Sequence, residues 1–96
     1  MRYYISGKMS GLSEAEYSKR FNAAEERLRA QGHKVFNPSR WGWLMKRLSY
    51  KHALGLDIFL MSFCDRVYML RDWTLSDGAT AEHSYARSVG MIVEYE

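Results

Sequence analysis

Several things are scarce in this chain, and each scarcity excludes something. It has one cysteine, Cys64, so no internal disulfide can form and a small disulfide-framed secreted fold is ruled out. It has one proline, Pro38, which leaves nearly all of the chain open to uninterrupted helices and strands. Its most apolar stretch, "ALGLDIFLMSF", is too short to span a bilayer and carries Asp57 in its middle, so no membrane role is expected. The three histidines, His33, His52 and His83, lack metal-ligand spacing, and with no second cysteine a zinc site is not expected. The opening "MRYYIS" is not a charged segment leading into a long apolar run. With the lone thiol, that points to a protein of the reducing cytoplasm.

What remains is the composition of one globular domain spanning 1–96. Hydrophobic residues make up 47%, charged residues 26% and aromatics 15%, with six methionines, which is enough apolar surface to share with a second subunit in a homo-oligomer. The formal charge of +3 suits an anionic ligand, from a mononucleotide to a polynucleotide, although many basic proteins bind nothing acidic.

The hydrophobic periods alternate along the chain. "RYYIS" (Arg2–Ser6) reads as a short strand ended by Gly7, followed by a loop through Leu12. Ser13 with Glu16 three residues on is a capping-box pattern that starts a helix. In it Tyr17, Phe21, Ala24 and Leu28 form an apolar stripe, while Lys19, Arg20, Glu25, Glu26 and Arg29 are expected on the solvent face. Gly32 closes that helix, and "HKVFNP" gives a second strand stopped by Pro38. Trp41–Leu48 reads as a short helix or ordered loop, and a further helix is expected from about Tyr50 to Met61. Arg66–Leu70 is a nearly continuous apolar strand, and Ser76 or Asp77 caps a helix running to Val89 before "MIVEY" closes the series. No hairpin dipeptide joins two of these strands. Strands alternating with helices imply right-handed crossovers, and the expected architecture is α/β: a three-layer Rossmann-like or flavodoxin-like fold whose parallel sheet of about four strands runs in the order 2-1-3-4. In such sheets ligands bind beyond the carboxyl ends of the strands, which singles out the loops Gly7–Leu12 and Arg71–Gly78.

Residues in and near those loops can carry chemistry. Glu82 lies one to two turns into its helix with Gly78 and Ala86 on the same face, which leaves a ligand room to approach; a solvent-facing carboxylate helped by the helix dipole fits the pattern too. Asp57 interrupts an apolar helix, as a buried acid with a raised pKa or as a structural cap. Tyr3 and Tyr4 alternate across the first strand, so one of them faces the crevice. Gly7-Lys8-Met9-Ser10-Gly11 can cradle an anion through its amides and lysine, but it is neither a P-loop nor a dinucleotide fingerprint. Cys64, among apolar residues, reads as a buried inert thiol. "WGWLMKRLSYKH" mixes aromatics with Lys46, Arg47 and Lys51 as a single-stranded nucleic-acid platform does, but such segments are more often packed helices or dimer seams, so nucleic acid is the least favoured partner.

Taken together, "YYISGKMSG", "W-T-L-S-D-G-A-x-x-E-H" and the final "G-M-I-V-E-Y" resemble a group of small phage and bacterial proteins of uncharacterised function. That group is similar in turn to nucleoside 2-deoxyribosyltransferases and to 2′-deoxynucleoside 5′-monophosphate N-glycosidases. The resemblance spans essentially the whole chain. It implies a strand-one tyrosine at Tyr4, a nucleophilic glutamate at Glu82 four residues after Gly78, and an active-site aspartate at Asp57, eight residues before Asp65. It also implies substrate-binding loops formed by Ser6, Gly7, Lys8, Ser10, Ser76 and Gly78, with Lys8, Ser10 and Ser76 at the positions that hold phosphate in the monophosphate enzymes. Lys8 stands where the small group usually has proline, and Ser10 where the monophosphate enzymes have arginine. The activity implied is cleavage of the N-glycosidic bond of 2′-deoxynucleosides or their 5′-monophosphates, by a hydrolase or transferase in a bacterial cell or a phage-infected host. The mechanism so implied needs only carboxylates, so no cofactor or metal is implied. The alternative is a non-catalytic nucleotide-binding protein, a sensor or a sequestering agent, using the same crevice.

Overall fold

The computed structural model describes the whole chain, residues 1–96. Strand β1 (Arg2–Ser6) leads to helix α1 (Glu14–Ala30) and strand β2 (Lys34–Phe36). A 3-10 turn over Pro38–Trp41 runs into the four-residue helix α2 (Gly42–Met45), and helix α3 (Tyr50–Met61) and strand β3 (Arg66–Met69) follow. After a second 3-10 turn (Trp73–Leu75), helix α4 (Asp77–Ser88) and strand β4 (Ile92–Tyr95) complete the chain. The sheet has the expected order β2-β1-β3-β4, and every neighbouring pair is parallel.

Local chemistry explains where the helices begin and end. Ser13 Oγ accepts the Glu16 N–H at 3.2 Å and Glu16 Oε1 accepts the Ser13 N–H at 3.4 Å, the reciprocal box anticipated from Ser13-x-x-Glu16. At the other end of α1, Gly32 takes φ +89°, a left-handed conformation costly for any side chain, and this lets the His33 N–H reach the Leu28 carbonyl. The same stop recurs at Gly90 after α4, where the Met91 N–H reaches the Ala86 carbonyl.

The pleat of β1 divides the core in two. Tyr3 and Ile5 point to the α1 face, where Tyr17, Phe21, Ala24, Leu28 and Leu70 enclose them. Tyr4 points the other way, into a cluster with Met61, Val67, Met69, Ala79 and Ala86 from α3, β3 and α4. The result is three layers, helix–sheet–helices, with strand order reversing between β1 and β3.

Some details differ from the sequence reading. Glu25, expected on the solvent face of α1, is buried, with 5% of its surface exposed. It accepts hydrogen bonds from Asn37 Nδ2 at 3.0 Å, Arg40 Nη2 at 2.9 Å and Arg29 Nε at 2.7 Å. Helical period alone placed it outward; the turn after β2 folds back and covers it. The loop after β3 contains a 3-10 turn, and Arg20 clamps its Asp72 at 2.5 and 2.7 Å, tying that loop to α1.

Candidate functional site

The carboxyl end of β1 sets the site. Tyr4 and Ser6, on the same side of the pleat, are 0% and 1% exposed. Gly7 follows because the backbone passes Leu70 closely: a Cβ there would lie 2.7 Å from Leu70 Cδ1. Across from them α4 starts at Ser76, whose Oγ accepts the Ala79 N–H at 3.2 Å, and the Gly78–Glu82–Ala86 face turns toward β1. Glu82 is therefore buried, 5% exposed, and the solvent-facing alternative does not apply. Its Oε1 accepts from Ser6 Oγ at 2.5 Å and its Oε2 from the Tyr4 hydroxyl at 3.3 Å.

Asp57 reaches the same place from α3. It is buried, and its Oδ1 has no hydrogen-bond partner within the protein. Burial is the main force raising its pKa, opposed by hydrogen bonding toward Glu82 and Tyr4. Glu82 is raised well above the usual carboxylate range, first by burial and next by the charge of Asp57, while the Ser6 and Tyr4 hydroxyls pull it back by stabilising its anion. Two acids so placed cannot both ionise cheaply, so the charge of one holds the proton on the other. Burial also lifts the Tyr4 phenol well above its ordinary value, helped by the two acids, which keeps it a donor.

These groups line one wall of a cavity of about 250 Å³ at the β1–β3 reversal, close to the lower end of small-molecule sites. Of the residues singled out in the sequence, Tyr4, Gly7, Ser10, Asp57, Ser76, Gly78 and Glu82 line it. Ser6 stands behind Glu82, and Lys8 lies outside the lining; Arg20 and a backbone hydrogen bond lower the pKa of Asp72, and the charge of Lys8 adds the smallest share. Cys64 is half-buried and burial pushes its thiol up to about 11, so it is no thiolate nucleophile at neutral pH.

Sequence reasoning missed the remaining wall. Tyr17 and Phe21, read as core stripe, also face the cavity, and the segment suspected of gripping nucleic acid supplies Gly42, Met45, Lys46 and Tyr50. The Tyr17 hydroxyl is buried and no protein group hydrogen-bonds it. It sits against Gly42, where any Cβ would collide with it. The glycine between two tryptophans at 41–43 was the one signal that a backbone passes closely here.

A family model described as "Domain of unknown function (DUF4406)" matches residues 1–95, and the chain belongs to that family. No curated protein and no solved structure matches it.

Proposed function

We propose that this member of the DUF4406 family cleaves the N-glycosidic bond of 2′-deoxynucleosides or their 5′-monophosphates, as a hydrolase or a transferase. The observation that carries this reading is the buried pair Glu82 and Asp57 at the cavity wall, with two hydroxyl donors aimed at Glu82 and Asp57 Oδ1 unpartnered. Two hydroxyls donating to one carboxylate orient it and favour its anion, as a nucleophile requires. The other acid is buried at the same wall with one oxygen that no protein group hydrogen-bonds, which places it to donate a proton to a departing base.

In this mechanism Glu82 attacks the sugar C1′ as the C1′–N bond breaks through an oxocarbenium-like transition state. The electron pair leaves with the base, which takes the proton of Asp57. The resulting glycosyl ester on Glu82 is then attacked at C1′ by water or by a second base. Asp57, now anionic, accepts the proton of that attacking group, and Glu82 departs as carboxylate. The division of labour parallels retaining glycosidases, with a nucleobase as leaving group in place of a sugar. Tyr4 and Ser6 are positioning residues that act through Glu82.

A second reading, a nucleotide-binding protein without turnover, is favoured by the burial that raises Glu82 and withholds its anion. The two separate on one comparison: free base released by the wild type and lost in Glu82→Ala supports the enzyme, whereas a nucleotide-induced rise in Tm without base release supports the binder. Under both readings a second copy of the chain is expected to cover exposed apolar surface, including Phe59 on α3 and Phe63 in the turn after it, whose rings pack edge to face.

A further inference from the structure

Residues 40–51, the stretch that mixes aromatics with cations, have two sides. One side gives the cavity Gly42, Met45, Lys46 and Tyr50. The other side serves nothing inside the protein. Packed helices usually absorb such aromatics, yet Trp41, Trp43 and Tyr50 keep 45%, 56% and 54% of their surface exposed. Three large rings held in water within one short stretch form a patch, not a scatter.

Gly42 is the cause of the exposure. Its backbone packs on Tyr17, where any Cβ would collide with the phenol, so the inward position has no side chain. The tryptophans on either side stand about 100° away around the turn and point out. The turn continues through Lys46 and Arg47, whose N–H groups donate to the Gly42 and Leu44 carbonyls at 3.1 and 3.0 Å. Arg47 follows Trp43 by one turn, so an aromatic and a cation share the outer face. Charge is lopsided as well. Between Glu26 and Asp57 the chain carries Arg or Lys at seven positions and no Asp or Glu, whereas the rest of the chain is net negative. Arg47 and Lys51 form no ion pair, and Arg40 shares its one partner, Glu25, with Arg29.

We propose that residues 40–51 are a docking surface for single-stranded nucleic acid. Unpaired bases stack on Trp41, Trp43 and Tyr50, and phosphates meet Arg40, Arg47 and Lys51. The chemistry of the patch selects this occupant. A second copy paired symmetrically here would set the cations of one stretch against those of the other, with no carboxylate between 27 and 56 to answer them. A lipid surface calls for apolar and charged groups on opposite faces of a helix, but Trp43 and Arg47 share one face. Duplex bases are already stacked on each other, and the four residues of α2 are too few to read a groove. The proposal uses residues outside the acid pair and stands independently of the glycosidase reading.

The test is fluorescence anisotropy with a labelled oligothymidine of about 12 nucleotides, competed by duplex DNA, by polyglutamate and by vesicles of phosphatidylserine and phosphatidylcholine. The proteins are the wild type, Trp43→Ala, Arg47→Gln and Glu82→Gln. The exposed substitutions should leave Tm within about 4 °C of wild type, and Arg47→Gln, which removes no packing, carries the test if Trp43→Ala melts lower. The expected result is binding that weakens about tenfold between about 50 and 200 mM salt and quenches tryptophan fluorescence. Trp43→Ala should lose about tenfold in affinity at every salt concentration, and Arg47→Gln should flatten the log–log salt slope by about 0.7. Glu82→Gln should bind the strand as the wild type does, whether or not the wild type releases base. No binding of oligothymidine at low salt overturns the proposal, as does equal competition by polyglutamate or by the vesicles. Oligothymidine affinity within twofold of wild type in both Trp43→Ala and Arg47→Gln also overturns it. If light scattering then shows that Trp43→Ala has lost a dimer mass, the patch is a subunit seam instead.

Discussion

At the scale of single residues, Glu82 is the clearest case of position deciding chemistry. Ser6 exists in this site only to serve it: its hydroxyl is buried, donates to Glu82 and does not line the cavity. Ser6→Ala removes a charge-assisted hydrogen bond worth about 1.5–3 kcal/mol, so kcat/KM should fall about tenfold or more. Because that bond lowers the Glu82 pKa, the acid limb of the pH–rate profile should also move upward; a uniform loss at every pH would mean Ser6 is merely structural. The acid pair carries a stability signature as well. Folding raises both carboxyls above their unfolded range, so the native state holds protons that the unfolded chain releases. Stability from this source is complete below about pH 4 and is lost as pH rises through the raised values. Glu82→Gln should therefore melt above wild type at pH 8 and match it near pH 4. A gain of about 1 kcal/mol would read as roughly 4–8 °C in a domain of this size, and an unchanged or lower Tm at pH 8 would contradict the burial argument.

At the scale of elements, the roof of the cavity depends on one carboxylate that does not touch it. Glu25 on α1 binds Asn37 and Arg40 at the turn that leads into α2, and so fixes where residues 42–46 lie. Burial alone would raise its pKa, but the hydrogen bonds from Asn37, Arg29 and Arg40 outweigh that and leave it lowered. The sign is then opposite to that of Glu82: its stabilisation is present above the unfolded carboxylate range and is lost as pH falls through the lowered value. Glu25→Gln should cost about 1–3 kcal/mol at pH 7, since Asn37 stays buried while both arginines remain solvated. The difference from wild type should shrink toward pH 3 in denaturant melts; equal stability at pH 7 would mean the network is ornamental. These two elements also mark how much the sequence disclosed. The start of α1 was legible because Ser13 and Glu16 act within one turn. Glu25 was not, because its partners Asn37 and Arg40 lie 12 and 15 residues away and helical period reports only neighbours. Tyr17 was read correctly as core, but nothing in a stripe of apolar positions says which member borders a cavity. Lys46 and Tyr50 sit in a segment without a dominant period, where only the fold decides what faces inward.

At the scale of the whole molecule, strand order was legible because alternating strands and helices with no hairpin leave few parallel topologies, and right-handed crossovers select among them. That order sends α1 to one face and α3 and α4 to the other, and opens the cavity at the carboxyl end of β1, where Tyr4, Asp57 and Glu82 meet from three separate elements. The exposed apolar side of α3 belongs to this scale too. No helix of the chain is long and apolar enough to cross a membrane, and light scattering should give at least a dimer mass that Phe59→Ser together with Phe63→Ser shifts toward the monomer; a monomeric wild type would contradict it. The central claim is tested most directly by incubating the protein with each 2′-deoxynucleoside and its 5′-monophosphate, with and without a second base, and measuring released base by chromatography beside Glu82→Gln. The account predicts release by the wild type that disappears in the folded variant. No release from any substrate, or equal release by the variant, would contradict it.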